Sequence, residues 1–289
     1  MLEEGCGLFG MHRKSLIRAF GRQARGRRGR RRGLSGTRGS RRLAGQVPIR
    51  TRVEGVEGPG SFEVDTAAHG GSSLAGAFVW SVSFTDIWSG WTENRAVWNR
   101  KGREIVARLA EIEGGLPFEI EAVQCDNGSE FLNRWLWHHF RDRPRPVVLT
   151  RSRPGRKNDN AHVEQKHWTH VRQLLGCQRL EDRRLTALFN DLYANEWRAL
   201  QNFFLPTMQL PAKNREGSRL HRRHGPPCTP CERLLASAQV CTQAKEQLRQ
   251  ETRRWDPFDL HDAVERKLRR IFRLARTSAK GGAATQRVA

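Results

Sequence analysis

The order of strand-like and helix-like segments leaves this chain few possible folds. In the clearest strand, Phe78 to Phe84, large apolar residues alternate with smaller ones, so one face is heavily apolar and the other is light. Further strands are predicted at 61–66, 91–98, 118–125 and 147–150, and helices at 102–113, 131–140 (with Ser129 as N-cap), 161–175 and 182–200. Three strands followed by alternating helices and strands predict an α/β fold, in which a mixed sheet is flanked by helices.

Positive charge is concentrated ahead of this region. The chain carries 52 Lys and Arg against 30 Asp and Glu, a formal net charge of +22. Residues 13–52 contain 15 of these basic residues and no acidic one. An Arg/Gly-rich composition of this kind cannot bury enough apolar surface to offset its ordering entropy, so we expect a disordered basic arm over 1–52. Nucleic acid is the expected partner, because clustered basic side chains bind phosphates.

The remaining sequence divides into a core over 53–205 and a basic C-terminal region over 206–289, which begins with a proline-punctuated stretch and ends in a helical tail. In that tail, apolar residues repeat as a narrow helical stripe at Leu260, Val264, Leu268, Ile271 and Ala275. Core packing or helix pairing is the first interpretation of the stripe, and DNA contact by the basic residues beside it is the second.

Composition also bears on location. No apolar run approaches the roughly 20 residues that a membrane-spanning helix needs, and the N-terminus does not read as a signal peptide. The six cysteines are too sparse for a disulfide scaffold in a chain of this length. We therefore expect a soluble, cytoplasmic protein with reduced thiols and no membrane partner.

Three carboxylates lie at the ends or on the faces of predicted elements. Asp65 lies on the first strand, Asp126 directly follows the strand that ends at residue 125, and Glu164 lies in the first turn of a helix. Singly, each has an ordinary interpretation, a turn residue for Asp126 or an ion pair with a nearby lysine for Glu164. Brought together, they would repel one another unless cations lay between them, and oxygen donors of this kind select Mg²⁺ or Mn²⁺.

Glu164 is the most informative of the three. It falls at helical spacing in a stripe whose other members are Ala161, Trp168, Val171 and Leu175. The periodicity calls for an apolar residue at its position, so we expect a buried carboxylate. A buried carboxylate must be paired, protonated or bound to a metal ion.

Three blocks of sequence resemble the active-site blocks of the integrase-core (DDE) transposases of insertion sequences. They are 62–66, 125–131 and 151–166, with 37 residues between Asp126 and Glu164, and the resemblance covers roughly 47–238. It implies a ribonuclease-H-like fold in which Asp65, Asp126 and Glu164 bind two Mg²⁺ (or Mn²⁺) ions. It also implies the activity, which is metal-dependent DNA cleavage and strand transfer by in-line phosphoryl transfer.

The same resemblance implies a set of DNA-binding residues around the third carboxylate, namely Arg151, Arg153, Lys157, Asn158, Asn160, His162 and Lys166. The partners that it implies are transposon ends and target DNA, bound by a homo-oligomer at the nucleoid. The family carries a helix-turn-helix region before the core, and Arg/Gly-rich sequence occupies that place over 1–46. We therefore expect an N-terminally truncated or frame-disturbed copy.

Three alternatives stay open. Two of them replace the transposase: a non-specific nucleic-acid-binding relic without catalytic activity, and a hydrolytic nuclease of the same fold. Separately, His221, His224, Cys228 and Cys231 resemble a small zinc knuckle. Against zinc, the two ligand pairs are almost contiguous, and structural zinc sites usually place a loop between them.

Overall fold

The computed structural model describes residues 43, 45–50, 56–154, 157–210, 212–216 and 219–285. Side chains are described for all of these except 157, 158, 212–216, 219–222 and 278–285. The predicted disordered arm over 1–52 therefore lies almost entirely outside the described residues.

The first half of the described chain alternates strands with helices. Its elements are β1 (Ser61–Ala68), β2 (Val79–Asp86), β3 (Thr92–Trp98), α1 (Gly102–Gly114), β4 (Ala122–Cys125), α2 (Arg134–Arg141) and β5 (Val148–Arg151), followed by a 3₁₀ turn at Lys157–Asn160. The strands lie in the order β3-β2-β1-β4-β5. β1 pairs antiparallel with β2 and parallel with β4, and β4 pairs parallel with β5. The expected fold class, an α/β mixed sheet flanked by helices, is confirmed.

The second half is mainly helical. Helix α3 comprises an α-helical part (Ala161–Lys166), a π-helical segment (His167–Arg172) and a last turn (Gln173–Leu175). Helix α4 begins as Leu185–Leu192 and continues through π-helical segments at Tyr193–Trp197 and Leu200–Phe204. The later elements are β6 (Ala212–Glu216), β7 (Arg219–Arg223), α5 (Pro230–Ala236), α6 (Thr242–Arg253) and α7 (Pro257–Thr285).

The two faces of the sheet differ in polarity. The first face carries the apolar side chains of β1, β2 and β4 and packs against α1 and α2 in one continuous core, whose sheet members include Phe62, Val64, Val82, Phe84 and Val123. On this face the rings of Phe62 and Phe84 stack with centroids 4.0 Å apart. The alternation between Phe78 and Phe84 therefore places its apolar residues as predicted.

The second face carries a buried polar layer. The side chains of Ser81, Ser83, Thr85, Thr92 and Asn94 are at most 1% exposed. Two pairs bond across β2 and β3, Asn94 Nδ2 donating to Ser83 Oγ at 2.7 Å and Thr85 Oγ1 lying 3.2 Å from Thr92 Oγ1, and Ser81 Oγ lies 2.8 Å from Tyr193 Oη of α4. Because buried polar groups need partners, this layer fixes the strand register and holds α4, whose Asn202 Oδ1 accepts the Thr92 amide at 2.9 Å.

The C-terminal helices complete the core on this second face. Leu260, Val264, Leu268 and Ile271 of α7 are buried in the same apolar cluster as α3 and α4, and Ala275 packs against it. Core packing, the first interpretation of the α7 stripe, is confirmed. No helix in the described part of the chain is both long enough and apolar enough to span a membrane.

Three local predictions need correction. The strand predicted at 118–125 exists only from Ala122, because β1 begins at Ser61, the partner of Ala122; ahead of it, Glu121 still donates to the Gly60 carbonyl at 2.9 Å. Ser129 does not cap α2. The chain first turns at Gly128, and the cap is Asn133, whose side chain accepts the Leu136 amide at 3.1 Å.

The third correction concerns the proline-punctuated stretch, which contains the antiparallel strands β6 and β7. No strand signal is visible in its sequence, because residues such as Lys213, Asn214 and Arg215 show no apolar alternation.

Candidate functional site

Asp65 and Asp126 lie side by side on the second face of the sheet. The parallel register of β1 and β4 pairs Val64 with Cys125, and each aspartate is the next residue along its strand. Val64 and Cys125 point into the apolar core on the first face, so the alternation of a strand directs both aspartates to the opposite side. Two of the three predicted carboxylates are thus brought together.

The environment of Asp126 is acidic. Burial, with smaller contributions from the charges of Glu130 and Asp65, raises its pKa to about 6, while the Gly128 amide and Arg100 oppose the rise. The Gly128 amide donates to Asp126 Oδ1 at 2.8 Å. Repulsion between neighbouring carboxylates of this kind is relieved by a proton or by a bound cation.

Glu130 is a third acid in this cluster, and it was not singled out from the sequence. Its side chain is 4% exposed, and Arg100 Nη1 lies 2.8 Å from Glu130 Oε1. Arg100 and the preceding Asn99 both have positive φ, 50° and 60°, a conformation that costs free energy in residues other than glycine. The strained turn before α1 therefore holds a guanidinium against the acidic cluster, and the only sequence signal for Glu130 was its position inside the second resembling block.

Glu63 fixes where α3 begins. It is 1% exposed, lies two residues before Asp65 on the same face of β1, and its Oε2 accepts the Val163 amide at 2.9 Å. Burial, with smaller contributions from the charges of Glu164 and Asp65, raises the pKa of Glu63 to about 7 against the opposing effect of the Val163 and His162 amides. Glu63 therefore anchors the first turn of α3 over β1, and its carboxylate is close enough to Asp65 and Glu164 to interact with their charges. In the sequence, the only indication of this role for Glu63 was its place two residues before Asp65, on the same face of the strand.

The prediction that Glu164 is buried was wrong. Glu164 is exposed, and Ala161 and Trp168 of the predicted stripe are exposed as well, Trp168 to 61%. The residues of α3 that are buried are Val163, Lys166, His170, Val171 and Leu175. The carboxylate buried beneath this helix is Glu63 of β1.

The π-helical segment explains the error. A regular α-helix repeats every 3.6 residues, and a π-helical turn takes up an extra residue, which shifts every later residue to a different face. Val171 and Leu175 are buried as predicted, but counting back from them by α-helical steps through His167–Arg172 leads to the wrong face of the first turn.

The predicted DNA-binding residues divide by exposure. His162 is exposed on the first turn of α3, whereas Asn160 is 5% exposed and its Oδ1 accepts from Gln124 Nε2 at 3.1 Å. The side chains of Lys157 and Asn158 lie outside the described residues.

The two predicted arginines already have partners within the fold. Arg153 forms a bidentate pair with the buried Asp159, and Arg151 donates to the Val47 carbonyl and to Asn127 Oδ1. Their guanidinium groups order the loop before α3. The pairing of Asp159 with Arg153 was not predicted from the sequence.

Lys166 is buried on α3, unlike His162, the other predicted DNA-binding residue on this helix. Its side chain is 9% exposed although its head group is cationic. Burial, with a smaller contribution from the charge of Arg233, lowers the pKa of Lys166 to about 8.

Histidines line the space between α3 and the sheet. His167 Nδ1 lies 3.4 Å from Asp65 Oδ2. Three ring nitrogens here, His167 Nε2 and the Nδ1 atoms of His69 and His170, are buried and have no hydrogen-bond partner among the described residues. Burial lowers the pKa of His69 to about 3 and that of His170 well below its usual value. Both imidazoles are therefore neutral at pH 7.

The donor set suits a hard divalent cation better than zinc. Asp65 and Asp126 present carboxylate oxygens, which Mg²⁺ and Mn²⁺ prefer, and their mutual repulsion favours a bound cation. In the arrangement described, no three His, Cys, Asp or Glu side chains among the described residues form a group that could hold a metal ion. Two of the donors therefore fit, and Glu164 would have to turn towards them to complete the set.

The zinc-knuckle alternative receives no support from the residues described. Cys231 is buried in α5 with its Sγ 3.8 Å from Thr252 Oγ1, and the backbone of Cys228 pairs with that of Thr207. His224 is exposed, and the side chain of His221 lies outside the described residues.

Comparison with known proteins gives a relative but no function. No family model matches the chain. The uncharacterized protein y4rM of Sinorhizobium fredii (strain NBRC 101917 / NGR234) is 38% identical over 205 residues, which make up 68% of this chain and 57% of that protein. The chain thus spans little more than half the length of this curated relative.

Among solved structures, one similar chain belongs to the cryoEM structure of the simian T-cell lymphotropic virus intasome in complex with PP2A regulatory subunit B56 gamma. The similarity has a TM-score of 0.40 and 15% sequence identity, and it covers 54% of this chain and 51% of that chain. The residues of this chain are therefore the basis for inferring its function.

Proposed function

We propose that this chain is a DNA-cleaving and strand-transferring enzyme of the DDE transposase type, with Asp65, Asp126 and Glu164 as its metal-binding and catalytic acids. The observation that carries the proposal is the adjacency of Asp65, within β1, and Asp126, directly after β4, on one face of two neighbouring parallel strands. Two acids so distant in the sequence are expected to meet in this way when their sequence blocks belong to one site.

The neighbouring residues fit this chemistry. Mg²⁺ or Mn²⁺ at these carboxylates would supply charge stabilisation and an activated attacking oxygen for in-line displacement at phosphorus. Asp65 and Asp126 offer fixed donors, and Glu63 anchors the helical turn that carries Glu164. Because Glu164 is exposed, its side chain is free to turn towards the two aspartates when cations and DNA bind.

DNA is the proposed substrate because the chain is strongly basic even without its first segment. Residues 53–289 contain 37 Lys and Arg against 28 Asp and Glu. The proposed reaction joins two transposon ends to a target, so the proposal includes a homo-oligomer assembled on DNA. Phosphate contacts from basic side chains would hold the DNA in register without reading its sequence.

Nicking of supercoiled plasmid in Mg²⁺ or Mn²⁺ tests the proposal. We expect the native chain to nick, and Asp126→Asn and Glu164→Gln to lose at least about a hundredfold in rate, because each removes a metal-binding carboxylate. DNA affinity without metal should stay within a small factor of the native value. The matched control is Glu111→Gln, which removes an exposed helical carboxylate from α1.

Each outcome separates the alternatives. Nicking retained in Glu164→Gln would contradict the proposed site. A covalent joint between a transposon-end oligonucleotide and the plasmid would support strand transfer, whereas nicked circles alone would favour the hydrolytic nuclease.

A second candidate function is DNA binding without chemistry. It is favoured by one observation, that Glu164 is exposed and does not form a three-carboxylate group with Asp65 and Asp126 in the described arrangement. Salt-sensitive DNA binding with no nicking in either metal, by the native chain or by any variant, would favour this candidate.

A further inference from the structure

Lys166 is a buried cation without an anion. It lies on α3, nine-tenths buried, and among the described residues its Nζ has no hydrogen-bond or ion-pair partner. Burying a charge without a partner costs several kcal/mol, so proteins normally pair buried charges. The unpaired ammonium group of a side chain that is nine-tenths buried therefore indicates a position for an anionic ligand.

A second cation lies beside it. Arg233 of α5 donates through Nη1 to the Ser89 carbonyl at 2.8 Å and to Thr207 Oγ1 at 3.0 Å, and through Nη2 to the Thr207 carbonyl. All these acceptors are neutral. Arg233 thus secures the loop before β6 to the β2–β3 turn, but no carboxylate among the described residues forms an ion pair with it.

Both cations face the same glycine. A side chain built on Gly90 would begin 3.5 Å from Arg233 Nη1 and 4.0 Å from Lys166 Nζ. Gly90 has φ +76°, a conformation that favours glycine, so the turn keeps this space free of a side chain. Two positive groups therefore border one space at the β2–β3 turn.

This space is distinct from the carboxylate site. Ser83 is the partner of Asp65 on β2, and the turn begins beyond Asp86, about 10 Å further along that strand. Lys166 and Glu164 are two residues apart on a helix, so their side chains point about 200° apart. An anion at Lys166 would therefore not be the phosphate that is cut.

We propose that Lys166 and Arg233 form a phosphate-binding site at the β2–β3 turn, and that its phosphate belongs to the backbone of bound DNA, away from the scissile position. The identity of the donor molecule rests on the proposed function. The site itself does not, because it requires only a phosphate group.

Thermal unfolding of the full chain in metal-free buffer tests the site, with inorganic phosphate compared against chloride at equal ionic strength. We expect phosphate to raise the Tm of the native chain and of Lys166→Arg, but not that of Lys166→Met. In phosphate-free buffer, Lys166→Met should unfold at a higher temperature than the native chain, because an unpaired buried charge is replaced by an apolar side chain of similar size. Lys245→Met is the matched control, since it removes a lysine from α6.

A purely structural role predicts the reverse. If Lys166→Met lowers the Tm in phosphate-free buffer and phosphate acts equally on both proteins, the site is overturned. Variants of Arg233 are unsuitable, because its backbone contacts hold two loops together.

Binding of a DNA duplex, measured by fluorescence anisotropy without metal, tests the source of the phosphate. We expect Lys166→Met to reduce the slope of log affinity against log salt by about 0.9, the value for one phosphate contact. A phosphate effect on Tm with unchanged DNA binding would overturn the DNA assignment and favour a free phosphate compound. A phosphate effect in a chain that never nicks DNA would leave the site supported while the enzyme proposal fails.

Discussion

His69 illustrates how a single buried side chain contributes to the pH dependence of stability. It is fully buried at the end of β1, its Nε2 lies 2.8 Å from Ser81 Oγ, and that hydroxyl lies 2.8 Å from Tyr193 Oη. Its Nδ1 has no hydrogen-bond partner in the part of the chain that the structure describes, so protonation would place an unpaired charge in the core. Burial accordingly lowers its pKa to about 3.

Linkage gives the sign of the effect. The unfolded chain binds a proton at His69 near pH 6.5 and the folded chain does not, so the free energy of unfolding falls as the pH drops. Between pH 7 and pH 5 this side chain should remove about 2 kcal/mol of stability. Urea denaturation at several pH values checks this, with His69→Gln expected to flatten the dependence by that amount. Parallel curves for the two proteins would contradict the assignment.

At the level of single residues, the sequence predicted the paired aspartates but not their surroundings. Asp65 lies on the strand predicted at 61–66, and Asp126 directly follows the strand predicted to end at residue 125; the parallel pairing of the two strands brings these positions together. Glu63 was predictable in principle, because alternation along a strand puts it on the same face as Asp65. The burial of Lys166 was not, since it depends on where α5 and the β2–β3 turn pack against α3.

Among the secondary-structure elements, α3 departs furthest from the pattern in its sequence. Its π-helical segment takes up an extra residue, which lets Val163 and Lys166 be buried ahead of the segment, Val171 near its end and Leu175 beyond it. A one-residue deletion inside the segment would leave these four at regular α-helical spacing, and a deletion inside a regular helix would instead rotate all later residues by about 100°.

Deletion of Thr169 should therefore be tolerated, with cooperative unfolding and a Tm within a few degrees of the native value. Deletion of the exposed Ala187 is the matched control. It lies in the regular part of α4, ahead of the buried Phe189 and Leu192, and should prevent folding or lower the Tm severely. Circular dichroism with thermal unfolding measures both. Equal damage by the two deletions would show that the π-helical segment is not an inserted residue in an otherwise regular helix.

The elements that the sequence predicted are those with an apolar periodicity of their own. The strands β1, β2 and β3 and the helix α1 begin and end within about two residues of their expected bounds. The described strands β6 and β7 pair with each other and not with the main sheet, so neither face needs a run of alternating apolar residues. Their sequence therefore contains no pattern that predicts a strand. The N-cap of α2 was misplaced for a related reason, because Ser129 and Asn133 are both good caps and only the turn at Gly128 decides between them.

At the scale of the whole molecule, positive charge is abundant, and part of it is aligned along one side of a helix. On α7, the arginines Arg266, Arg269, Arg270, Arg273 and Arg276 are exposed, and none has an ion-pair partner among the described residues. Their spacing places them along one side of the helix over about 15 Å, while the opposite side is buried in the core. Helix α7 therefore presents a rigid row of positive charge, which we call the arginine row, whose length suits several successive phosphates.

The arginine row should contribute to DNA affinity and have no effect on the rate of DNA cleavage. Replacing Arg266, Arg269 and Arg273 together with Gln should lower the slope of log affinity against log salt by roughly one to three, because each phosphate that is no longer neutralised lowers it by about 0.9. The nicking rate at saturating DNA should stay unchanged, because these residues lie outside the carboxylate site. Fluorescence anisotropy over a series of salt concentrations, paired with plasmid nicking, measures both quantities.

The control variant distinguishes an arranged surface from net charge alone. Arg134, Arg253 and Arg254 are also exposed and have no ion-pair partner among the described residues, but they lie on α2 and at the end of α6. Replacing these three with Gln removes the same charge from scattered positions, so the salt slope should change little. Equal slopes for the two triple variants would mean that DNA responds to total charge only. In that case α7 would serve the core, and the basic residues elsewhere in the chain would have to supply the phosphate contacts.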